Sequence, residues 1–442
     1  MASESWDVVI IGAGVAGLTA AADLAAKGHS VLILEARDRV GGRVWTRHEP
    51  ELSAPVELGA EFIHGQIAET FELLNEVGKA ALDTSGSRWT YRDGQLGQRA
   101  EHLFEQIQRA LEKFVDSKSG DLTFEAFLAD GDRYGLSQDA RKLARASVEG
   151  FDAADSARAS TLAIAEEWSS GGMLDAPQFR PSGGYSSVLN ALSGALDRDH
   201  VRVQLQTVVQ HVNWARGSVD VAGEFLLQRF HTHARRAIVT LPLGVLQAPP
   251  DAPGAVGFTP AVPGKQAALE RLACGPVLKV VLRFRSAFWE KLAQGKYRDA
   301  SFFHAPDFTF PTFWTARPVR APLLNAWVGG PKAARLSERP VDAIVREALA
   351  SLSALFGGPP PDMELEAAYV HNWATDRFSR GAYSYVTVGG GQDARRTLAA
   401  PALDTLFFAG EATDPAEGGT VTSALHSGAR AAREVHASLS SG

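Results

Sequence analysis

Three glycines near the start of the chain, spaced Gly12-x-Gly14-x-x-Gly17, have the arrangement that a backbone needs to bind a phosphate. The first glycine permits a tight turn, the second lets the backbone approach a pyrophosphate, and the third lets a helix pack closely on a strand. The helix would offer free N–H groups and the positive end of its dipole. Glu35 follows about 20 residues later, where a carboxylate accepts hydrogen bonds from ribose hydroxyls. Together these residues predict a dinucleotide site.

Residues 35–43 (EARDRVGGR) bear on which dinucleotide would bind. They continue past the ribose position with two more glycines and three arginines. A second close approach of the backbone, together with extra cations, suits a larger, doubly charged cofactor that is held permanently, which favours FAD over NAD. We expect Arg37 and Arg43 at the ribose or diphosphate, and Arg39 as a solvated surface charge.

The hydrophobic pattern predicts the strand–helix–strand unit that these motifs require. Residues 7–11 and 30–34 are apolar runs short enough for buried parallel strands, and the alanine-rich stretch between them is typical of a helix. At the far end of the chain, residues 405–409 are a predicted strand that leads through glycines to a helix over 420–439. We therefore expect both ends of the chain in one cofactor domain.

The remaining segments predict a second domain inserted into the first. Residues 71–167 read as mostly helical, with polar interruptions at 83–97 and 118–121, and a turn at 181–185 precedes a helix over 186–196. Further strands are predicted at 201–206, 208–214, 237–241, 277–284 and 324–329. The expected class is α/β (α+β), with an FAD-binding domain of residues 1–82, 185–255 and 396–442 and a mixed-sheet and helical substrate-binding domain of residues 83–184 and 256–395.

Composition limits the broad class of protein. A length of 442 residues predicts more than one domain, and 45 % hydrophobic with 21 % charged residues is typical of a globular protein. The net charge of −7 disfavours nucleic-acid binding, and the sequence holds no apolar run of about 18 residues that could span a membrane. One cysteine, Cys274, and no recognisable secretion signal suit a cytoplasmic protein, expected as a monomer or homodimer. No catalytic triad or metal-ligand spacing is evident, so we expect no metal.

Five ordered motifs resemble the flavin-containing amine oxidase family, which comprises monoamine oxidases, polyamine oxidases and lysine-specific histone demethylases. The matching segments are residues 7–43, 57–65 (ELGAEFIHG), 275–284 (GPVLKVVLRF), 373–386, and 406–411 (LFFAGE) with 419–428. Residues 380–386 (RGAYSYV) look most like the polyamine oxidase and histone demethylase branch. The resemblance implies a glutathione-reductase-like Rossmann FAD-binding domain that is discontinuous in sequence.

The resemblance assigns catalytic roles to three residues. Lys279 alternates with apolar residues along its strand and would ordinarily face solvent, but the family implies that it reaches a water near flavin N5, where its charge could help O₂ accept electrons. Trp373 would pack near the flavin ring, and Tyr383 would form a wall for the substrate amine. Ala382 stands where monoamine oxidases carry a cysteine tethered to the flavin, so we expect the FAD to be non-covalent.

Substrate contacts are also implied by the resemblance. His64 matches a histidine that contacts the substrate chain in animal polyamine oxidases, and Glu61 could offer an anionic anchor to a distal ammonium. Thr420 stands where monoamine oxidases place a second tyrosine, and the smaller residue would widen the cavity for longer or bulkier substrates. Each of these residues also has an ordinary structural explanation, such as helix capping for Thr420.

The expected cofactor contacts extend over both ends of the chain. Residues 59 and 60 would lie beneath the flavin ring, Val208 would meet adenine, Glu411 would meet the diphosphate or ribityl chain, and Val421 would open a helix toward flavin O2 and N1. The full expected set is Gly12, Ala13, Gly14, Ala16, Gly17, Glu35, Ala36, Arg37, Gly42, Arg43, Gly59, Ala60, Glu61, Val208, Trp373, Tyr383, Gly410, Glu411, Gly419, Thr420, Val421 and Ala424.

These assignments predict an FAD-dependent amine oxidase. The reaction would pass a hydride from the carbon next to nitrogen to flavin N5, giving an imine that water hydrolyses to aldehyde and amine, while O₂ becomes H₂O₂. Polyamines or diamines are the favoured substrates. An L-amino-acid oxidase or another flavin oxidase of the same fold is the alternative, although no arginine is clearly assignable to a substrate carboxylate. A non-catalytic FAD-binding interaction protein is the alternative from another class.

Overall fold

The computed structural model describes residues 5–98, 101–169, 176–357 and 364–440. The strands, numbered along the chain, are β1 (Ser5–Ile11), β2 (Val31–Leu34), β3 (Thr46–Arg47), β4 (Val56–Glu57), β5 (Ile63–His64), β6 (Ala81–Asp83), β7 (Ser87–Arg92), β8 (Gln95–Gln98), β9 (Gln178–Pro181), β10 (Val201–Gln204), β11 (Thr207–Ala215), β12 (Ser218–Phe225), β13 (Gln228–Val239), β14 (Gly257–Thr259), β15 (Leu272–Gly275), β16 (Val277–Phe284), β17 (Ala300–His304), β18 (Thr312–Thr315), β19 (Leu323–Gly329), β20 (Leu365–Asn372), β21 (Tyr383–Val386) and β22 (Leu406–Phe408). The α-helices are α1 (Val15–Ala25), α2 (Ala68–Glu76), α3 (Glu101–Asp116), α4 (Phe124–Ala129), α5 (Gly131–Tyr134), α6 (Gln138–Gly150), α7 (Thr161–Ser169), α8 (Ser186–Gly194), α9 (Leu243–Leu246), α10 (Lys265–Glu270), α11 (Gly330–Leu336), α12 (Val341–Phe356), α13 (Gly391–Ala399) and α14 (Val421–Ser440).

The first sheet joins the two ends of the chain. Its strand order is β10-β2-β1-β13-β12-β11-β14, with β22 added beside β13. Strands β10, β2, β1, β13 and β22 are parallel, whereas β11 and β12 continue the sheet as an antiparallel meander. Every residue of β2 is buried, as expected of a parallel strand that is covered on both faces. The predicted Rossmann-type sheet, with its N-terminal βαβ unit and its C-terminal strand and helix, is confirmed.

Helices and the meander cover the two faces of this sheet. Helices α1, α8 and α14 share one apolar core with β1 and β2. The opposite faces of β1 and β2 pack against side chains of the meander, such as Val212 and Val221. Gly428 allows α14 to approach α1 closely, because a Cβ there would lie 2.4 Å from the carbonyl oxygen of Ala16. The last helix is therefore locked onto the first.

The second sheet forms the inserted part of the molecule. Its order is β20-β16-β19-β18-β17-β7-β8, antiparallel except for the β17–β7 pair, and its core packs against α12. Helices α3 to α7 form a separate apolar cluster beside it. Cross-strand pairing sets Lys279 opposite Trp327, Trp327 opposite Thr312, and Thr312 opposite His304. Because directly opposed residues share a face, these four side chains form a row across one face of the sheet.

The structure corrects the predicted polar interruption at 83–97. This segment contains β7 and β8, which pair as a hairpin with Arg92 opposite Gln95. Asp93 and Gly94 form the two-residue turn with φ of 48° and 83°, the positive values that a type I′ turn requires. The polar side chains misled the prediction because a strand at the edge of a sheet tolerates them, and the Asp-Gly pair was the signal for the hairpin.

Strand β14 pairs with β11 and so belongs to the first sheet, just beyond the predicted domain boundary at residue 255.

Among the described residues, no helix is long and apolar enough to cross a membrane. In the same part of the chain, no group of three or more histidine, cysteine, aspartate and glutamate residues could hold a metal ion.

Candidate active site

A first cavity lies at the carboxyl ends of the parallel strands of the first sheet, where α/β proteins bind their ligands. It measures about 1350 Å³ with the solvent at its mouth included. Most of the expected cofactor residues line it, namely Gly12, Gly14, Ala16, Glu35, Ala36, Arg37, Gly42, Arg43, Gly59, Ala60, Val208, Trp373, Tyr383, Gly410, Glu411, Gly419, Thr420, Val421 and Ala424. Ala13 and Gly17 are not part of the lining, and Glu61 lines a second cavity instead.

The three N-terminal glycines are required for different structural reasons. Gly12 has φ of 114°, and Gly17 must lack a side chain because a Cβ would lie 2.1 Å from the carbonyl oxygen of Gly12. Gly14 differs, since a Cβ there would meet no protein atom within 4 Å. Gly410 is similarly open and also lines the first cavity. At Gly14 the cavity itself, rather than the fold, requires the absence of a side chain, whereas Gly410 also needs to be glycine because its φ is 123°.

Glu35 sits at the end of β2, where its position is fixed by backbone donors. Its carboxylate accepts hydrogen bonds from the N–H of Ala13 at 2.8 Å and of Arg37 at 2.9 Å. Burial raises the pKa of Glu35 above its ordinary value, although these two donors and the nearby arginines oppose the rise. The Ala13 backbone therefore contributes to the site by orienting Glu35.

Arg37 ties the first sheet to the segment before β21. Its guanidinium donates to both oxygens of Asp376, at 2.8 and 3.0 Å, and lies over the rings of Trp373 and Phe378. Burial alone would raise the pKa of Asp376, but hydrogen bonds from His371 and Arg37 hold it well below its ordinary value. Arg37 thus reaches the cavity with its charge already paired.

Arg39 is not the solvated surface charge that the sequence predicted. It is half-buried and donates to the carbonyl oxygens of Val40, Gly42 and Val44 at 3.2, 3.0 and 3.1 Å, with its guanidinium over the Trp45 ring. Burial, with the neighbouring charge of Arg37, lowers the pKa of Arg39 to about 10. Its role in the structure is to hold the turn around Gly42, which a count of charges in the sequence could not reveal.

Arg43 and Glu411 connect the two ends of the chain at the cavity wall. Arg43 donates to Glu411 at 2.8 Å and to the carbonyl oxygen of Ala382 at 2.6 Å. Glu411 also accepts from the hydroxyl of Ser384 at 2.7 Å and from the N–H of Gly419 at 3.0 Å. Burial would raise the pKa of Glu411, but the charges of Arg43 and Arg395, together with the Ser384 hydrogen bond, outweigh burial and lower this pKa. The Glu411 carboxylate is thus saturated by protein donors.

A second cavity adjoins the first and is lined mainly by the inserted domain. It measures about 1790 Å³, again with open solvent included. The two cavities share Gly59, Ala60, Trp327, Tyr383, Gly419, Thr420 and Val421. Of the expected catalytic and substrate residues, Lys279, Tyr383, His64, Glu61 and Thr420 line the second cavity. Trp373 lines only the first.

Lys279 is a buried cation of the second cavity, and its ammonium lies 3.4 Å from the carbonyl oxygen of Gly59, which lines both cavities. Its neighbours Val280 and Leu282 face the core of the second sheet, so the alternation along β16 turns Lys279 to the cavity side. Its ammonium lies 2.5 Å from Glu61, and Glu61 also accepts from Arg180 at 2.8 Å. Burial would raise the pKa of Glu61, but the charges of Lys279 and Arg180 lower it overall. Glu61 is therefore the counterion of two cations.

The two expected aromatic residues are held by hydrogen bonds to the backbone. The Trp373 indole donates to the carbonyl oxygen of Leu58 at 2.9 Å, and its ring lies over Gly59, where a Cβ would be 3.3 Å away. The Tyr383 hydroxyl donates to the carbonyl oxygen of Phe151, and its ring packs against Gly419. These contacts fix both rings at the boundary between the cavities.

His64 and Thr420 form no ion pair in the described part of the chain. Burial lowers the pKa of His64 to about 4, so its imidazole is neutral at ordinary pH. Its Nδ1 has no hydrogen-bond partner in the described part of the chain, and its ring packs against Phe151 at 5.5 Å. The Thr420 hydroxyl accepts from the N–H of Ser423 at 3.0 Å, the geometry of a helix cap for α14.

Sequence reasoning missed two acidic residues of the second cavity. Asp152 follows α6 and is 6 % exposed, while Glu167 comes from α7, and both line the cavity. Burial and the charge of Glu167 raise the pKa of Asp152 well above its ordinary value. The surrounding residues gave no motif, because Asp152 and Glu167 meet only through the packing of two helices.

The residues of the first cavity fit the FAD that the sequence predicts. Gly14 and Gly410 leave room for close approach to the backbone, Glu35 lies where it could meet a ribose, and α14 begins at the cavity with Val421. Trp373 and Tyr383 supply flat apolar walls where the two cavities meet. A dinucleotide with an extended ring system matches this lining.

Comparison with known proteins agrees with this geometry. Residues 15–436 match the family described as flavin containing amine oxidoreductase. The chain is 28 % identical to polyamine oxidase 2 of Arabidopsis thaliana, with 98 % of this chain and 89 % of that protein covered. It is also 28 % identical to lysine-specific histone demethylase 1 homolog 3 of Arabidopsis thaliana and lysine-specific histone demethylase 2 of Homo sapiens, of which it spans 30 % and 53 % of the length.

Solved structures show the same fold at lower identity. A putrescine oxidase bound to putrescine superposes with a TM-score of 0.80 at 22 % identity, covering 98 % of this chain and 99 % of that one. Cyclohexylamine oxidase from Brevibacterium oxydans IH-35A gives 0.80 at 22 % identity over 99 % and 100 % of the two chains. The family match over nearly the whole chain, together with this fold, identifies the protein as a member of the flavin-containing amine oxidoreductases, an enzyme with FAD as its cofactor.

Proposed function

We propose that this enzyme oxidises a polyamine or diamine at a carbon next to nitrogen. The resulting imine is hydrolysed to an aldehyde and an amine, and O₂ is reduced to H₂O₂. The observation that carries this proposal is that Tyr383 and buried Lys279 both line the second cavity, which adjoins the cofactor cavity and shares Tyr383 with it. The names of the similar proteins, polyamine oxidase and putrescine oxidase, support the choice of substrate class.

The chain's own part in the reaction is to bind and orient the amine and to exclude water. FAD, when bound, accepts the two electrons that leave the carbon–hydrogen bond. Tyr383 and Trp327 present rings at the junction, and aromatic faces hold an amine without a counter-charge that would trap its protonated form. His64, neutral because burial lowers its pKa to about 4, adds no charge that would repel an ammonium.

Lys279 acts on oxygen in this proposal. The residue is 1 % exposed, and its ammonium lies 3.4 Å from the carbonyl oxygen of Gly59, which lines both cavities. A fixed cation in a site with little water stabilises negative charge that develops on dioxygen as it accepts electrons. Glu61, itself held by Arg180, holds this ammonium in place, so Glu61 acts through Lys279 rather than as the free anionic anchor that the sequence suggested.

The cofactor would be held without a covalent bond. Ala382 lines the first cavity at the position where a tethering cysteine would stand. Cys274 packs beside Gly381, where an added Cβ would overlap its sulfur, and it is not part of the lining of either cavity. Burial raises the pKa of the Cys274 thiol to about 12, which keeps it protonated and unreactive.

One observation favours a second candidate, the oxidation of an amine that carries an acid group at the end away from the reacting nitrogen. Arg88 and Arg92 on β7, with His304 on β17, line the second cavity. Strand β7 is four strands away from β16 in the sheet order, which places these cations far from Lys279. They could meet a carboxylate at the distant end of a substrate, a possibility the sequence did not reveal.

Anaerobic mixing of the purified yellow protein with single amines tests the proposal. We expect 1,4-diaminobutane or spermidine to bleach the visible band of the flavin and, in air, to release one H₂O₂ per aldehyde formed. L-amino acids serve as the comparison series. Bleaching by amino acids but by no diamine would support the alternative, an L-amino-acid oxidase. No bleaching by any compound of either series would overturn the proposed amine oxidation.

A further inference from the structure

Asp152 is a buried carboxylate without a partner on the wall of the second cavity. The residue is 6 % exposed, and neither of its oxygens has a hydrogen-bond partner within the described ranges. The indole N–H of Trp168 points toward Asp152 and lowers its pKa slightly, but it falls outside hydrogen-bond geometry, and the effects of burial and of Glu167 on the pKa are larger. A buried charge without compensation costs several kcal/mol, so a protein keeps one only where a ligand or a proton compensates it.

Glu167 adds a second carboxylate to the same wall. It projects from α7, and its negative charge raises the pKa of Asp152. Burial, opposed by the charge of Arg395, raises the pKa of Glu167 to about 7. Two buried carboxylates on one wall attract a cation strongly, because one positive charge offsets both their burial and the repulsion between them.

The position of the pair connects it to the reacting amine. The Tyr383 hydroxyl donates to the carbonyl oxygen of Phe151, the residue directly before Asp152. Burial and then the charges of Asp152 and Glu167 raise the pKa of Tyr383, as expected of close neighbours. The carboxylates therefore lie beside the aromatic wall on the side of the second cavity.

The other acid of this cavity is already neutralised. Glu61 accepts from Lys279 and Arg180, two cations at 2.5 and 2.8 Å. It has no charge left over for a substrate. Of the three carboxylates in the cavity lining that the structure describes, Glu61 is paired and Asp152 is not.

We infer that Asp152, supported by Glu167, binds a second ammonium group of the substrate while the first nitrogen lies at Tyr383. The inference rests on the proposed amine oxidation and sharpens it, because it requires a substrate with two cationic nitrogens. Asp152 and Glu167 determine affinity and specificity and take no part in bond breaking.

A comparison of 1,4-diaminobutane with 1-aminobutane tests this inference. The two compounds have the same carbon chain and differ only in the second nitrogen. Anaerobic stopped-flow mixing with the holoenzyme gives the Kd of each amine separately from the limiting rate of flavin reduction. We expect the wild-type enzyme to bind the diamine about 100-fold more tightly, and Asp152→Asn to remove most of this preference by weakening the diamine alone.

Two further variants make the test specific. Glu167→Gln should weaken the diamine in the same direction but less, and it keeps the inference testable if Asp152→Asn fails to fold. Glu166→Gln, an exposed residue on the same helix, should leave both Kd values unchanged. Equal weakening of both amines by Asp152→Asn, or equal affinities in the wild type, would overturn the inference while leaving amine oxidation intact. Absence of flavin reduction by either amine would instead contradict the proposed function.

Discussion

The Nζ of Lys279 lies 2.5 Å from the Oε2 of Glu61, with both side chains almost fully buried. Glu61 also accepts from Arg180 and from the indole of Trp314, so four residues from four parts of the chain form one hydrogen-bonded unit. Burying such a unit is favourable only if every charge has a partner. A change to any member will therefore be felt by the others.

Removing the Lys279 cation tests its role with oxygen. Lys279→Met leaves Glu61 paired with Arg180, so the fold should persist. Because the cation would stabilise charge on dioxygen, we expect reoxidation of the reduced enzyme in air-saturated buffer to slow about 100-fold, as for the loss of one electrostatic donor. Anaerobic reduction by the amine should change little. Lys291→Met, at an exposed position, is the matched control, and an unchanged reoxidation rate would remove Lys279 from the oxygen reaction.

A substitution at Gly14 tests FAD binding without disturbing the fold. Gly14→Ala meets no protein atom within 4 Å, yet its methyl group would project into the first cavity. We expect a folded protein whose affinity for FAD falls at least about 10-fold, measured by fluorescence quenching during reconstitution of the apoprotein. Gly97→Ala, equally open but away from both cavities, should bind FAD normally. Normal FAD binding by Gly14→Ala would show that the cofactor does not approach this backbone.

The lowered pKa of His64 leads to a prediction of how the free energy of unfolding depends on pH. Its pKa is about 4 in the folded protein against 6.5 for an exposed histidine. Below 6.5 the unfolded chain takes up a proton that the folded chain refuses, so the free energy of unfolding falls as pH drops from 6.5 to 4. The loss from this residue totals about 3 kcal/mol and is absent above that window.

Urea unfolding of the holoenzyme across that pH range measures this effect. His64→Gln should flatten the decline, whereas His48→Gln, at an exposed position, should leave its slope unchanged. If both variants decline as steeply as the wild type, the histidine is not the group that makes the protein sensitive to acid.

The ion pair between Arg37 and Asp376 should contribute more to the free energy of unfolding than an ion pair on the surface. Its side chains are 14 % and 9 % exposed, and the contact is bidentate. Asp376→Asn leaves the guanidinium partly buried without a counterion, so we expect the free energy of unfolding to fall by about 2 to 4 kcal/mol. Asp404→Asn breaks a pair with Arg216 that is two-thirds exposed, and should cost about 0.5 kcal/mol or less. Similar losses in both variants would contradict this difference.

The sequence predicted the parts of the fold that local patterns control. The short apolar runs of β1 and β2, the glycine turn between them and the last helix all followed from residues close together in the chain. The hairpin of β7 and β8 was missed because its edge strand is polar, although Asp93-Gly94 marked the turn. Local signals of this kind can be learned and applied again.

Long-range pairing could not be predicted in the same way. Asp376 meets Arg37 across 339 residues of sequence, and Glu61 meets Lys279 across 218. No periodicity carries such information, so Glu61 was predicted as a free anion and Arg39 as a solvated cation, whereas both are paired in the structure. Asp152 was missed for the same reason, since an aspartate at the end of a helix is ordinary until its surroundings are known.

The union of the two chain ends in one sheet has a consequence for synthesis. Strand β22 completes the edge of β13, and residues 410–424 close the wall of the first cavity. On the ribosome, a nascent chain that has already emerged past β13 still lacks this wall until residues 410–424 have also emerged. FAD therefore can be captured only after these residues have left the ribosome, and a product truncated before β22 would leave an open strand edge in the cell.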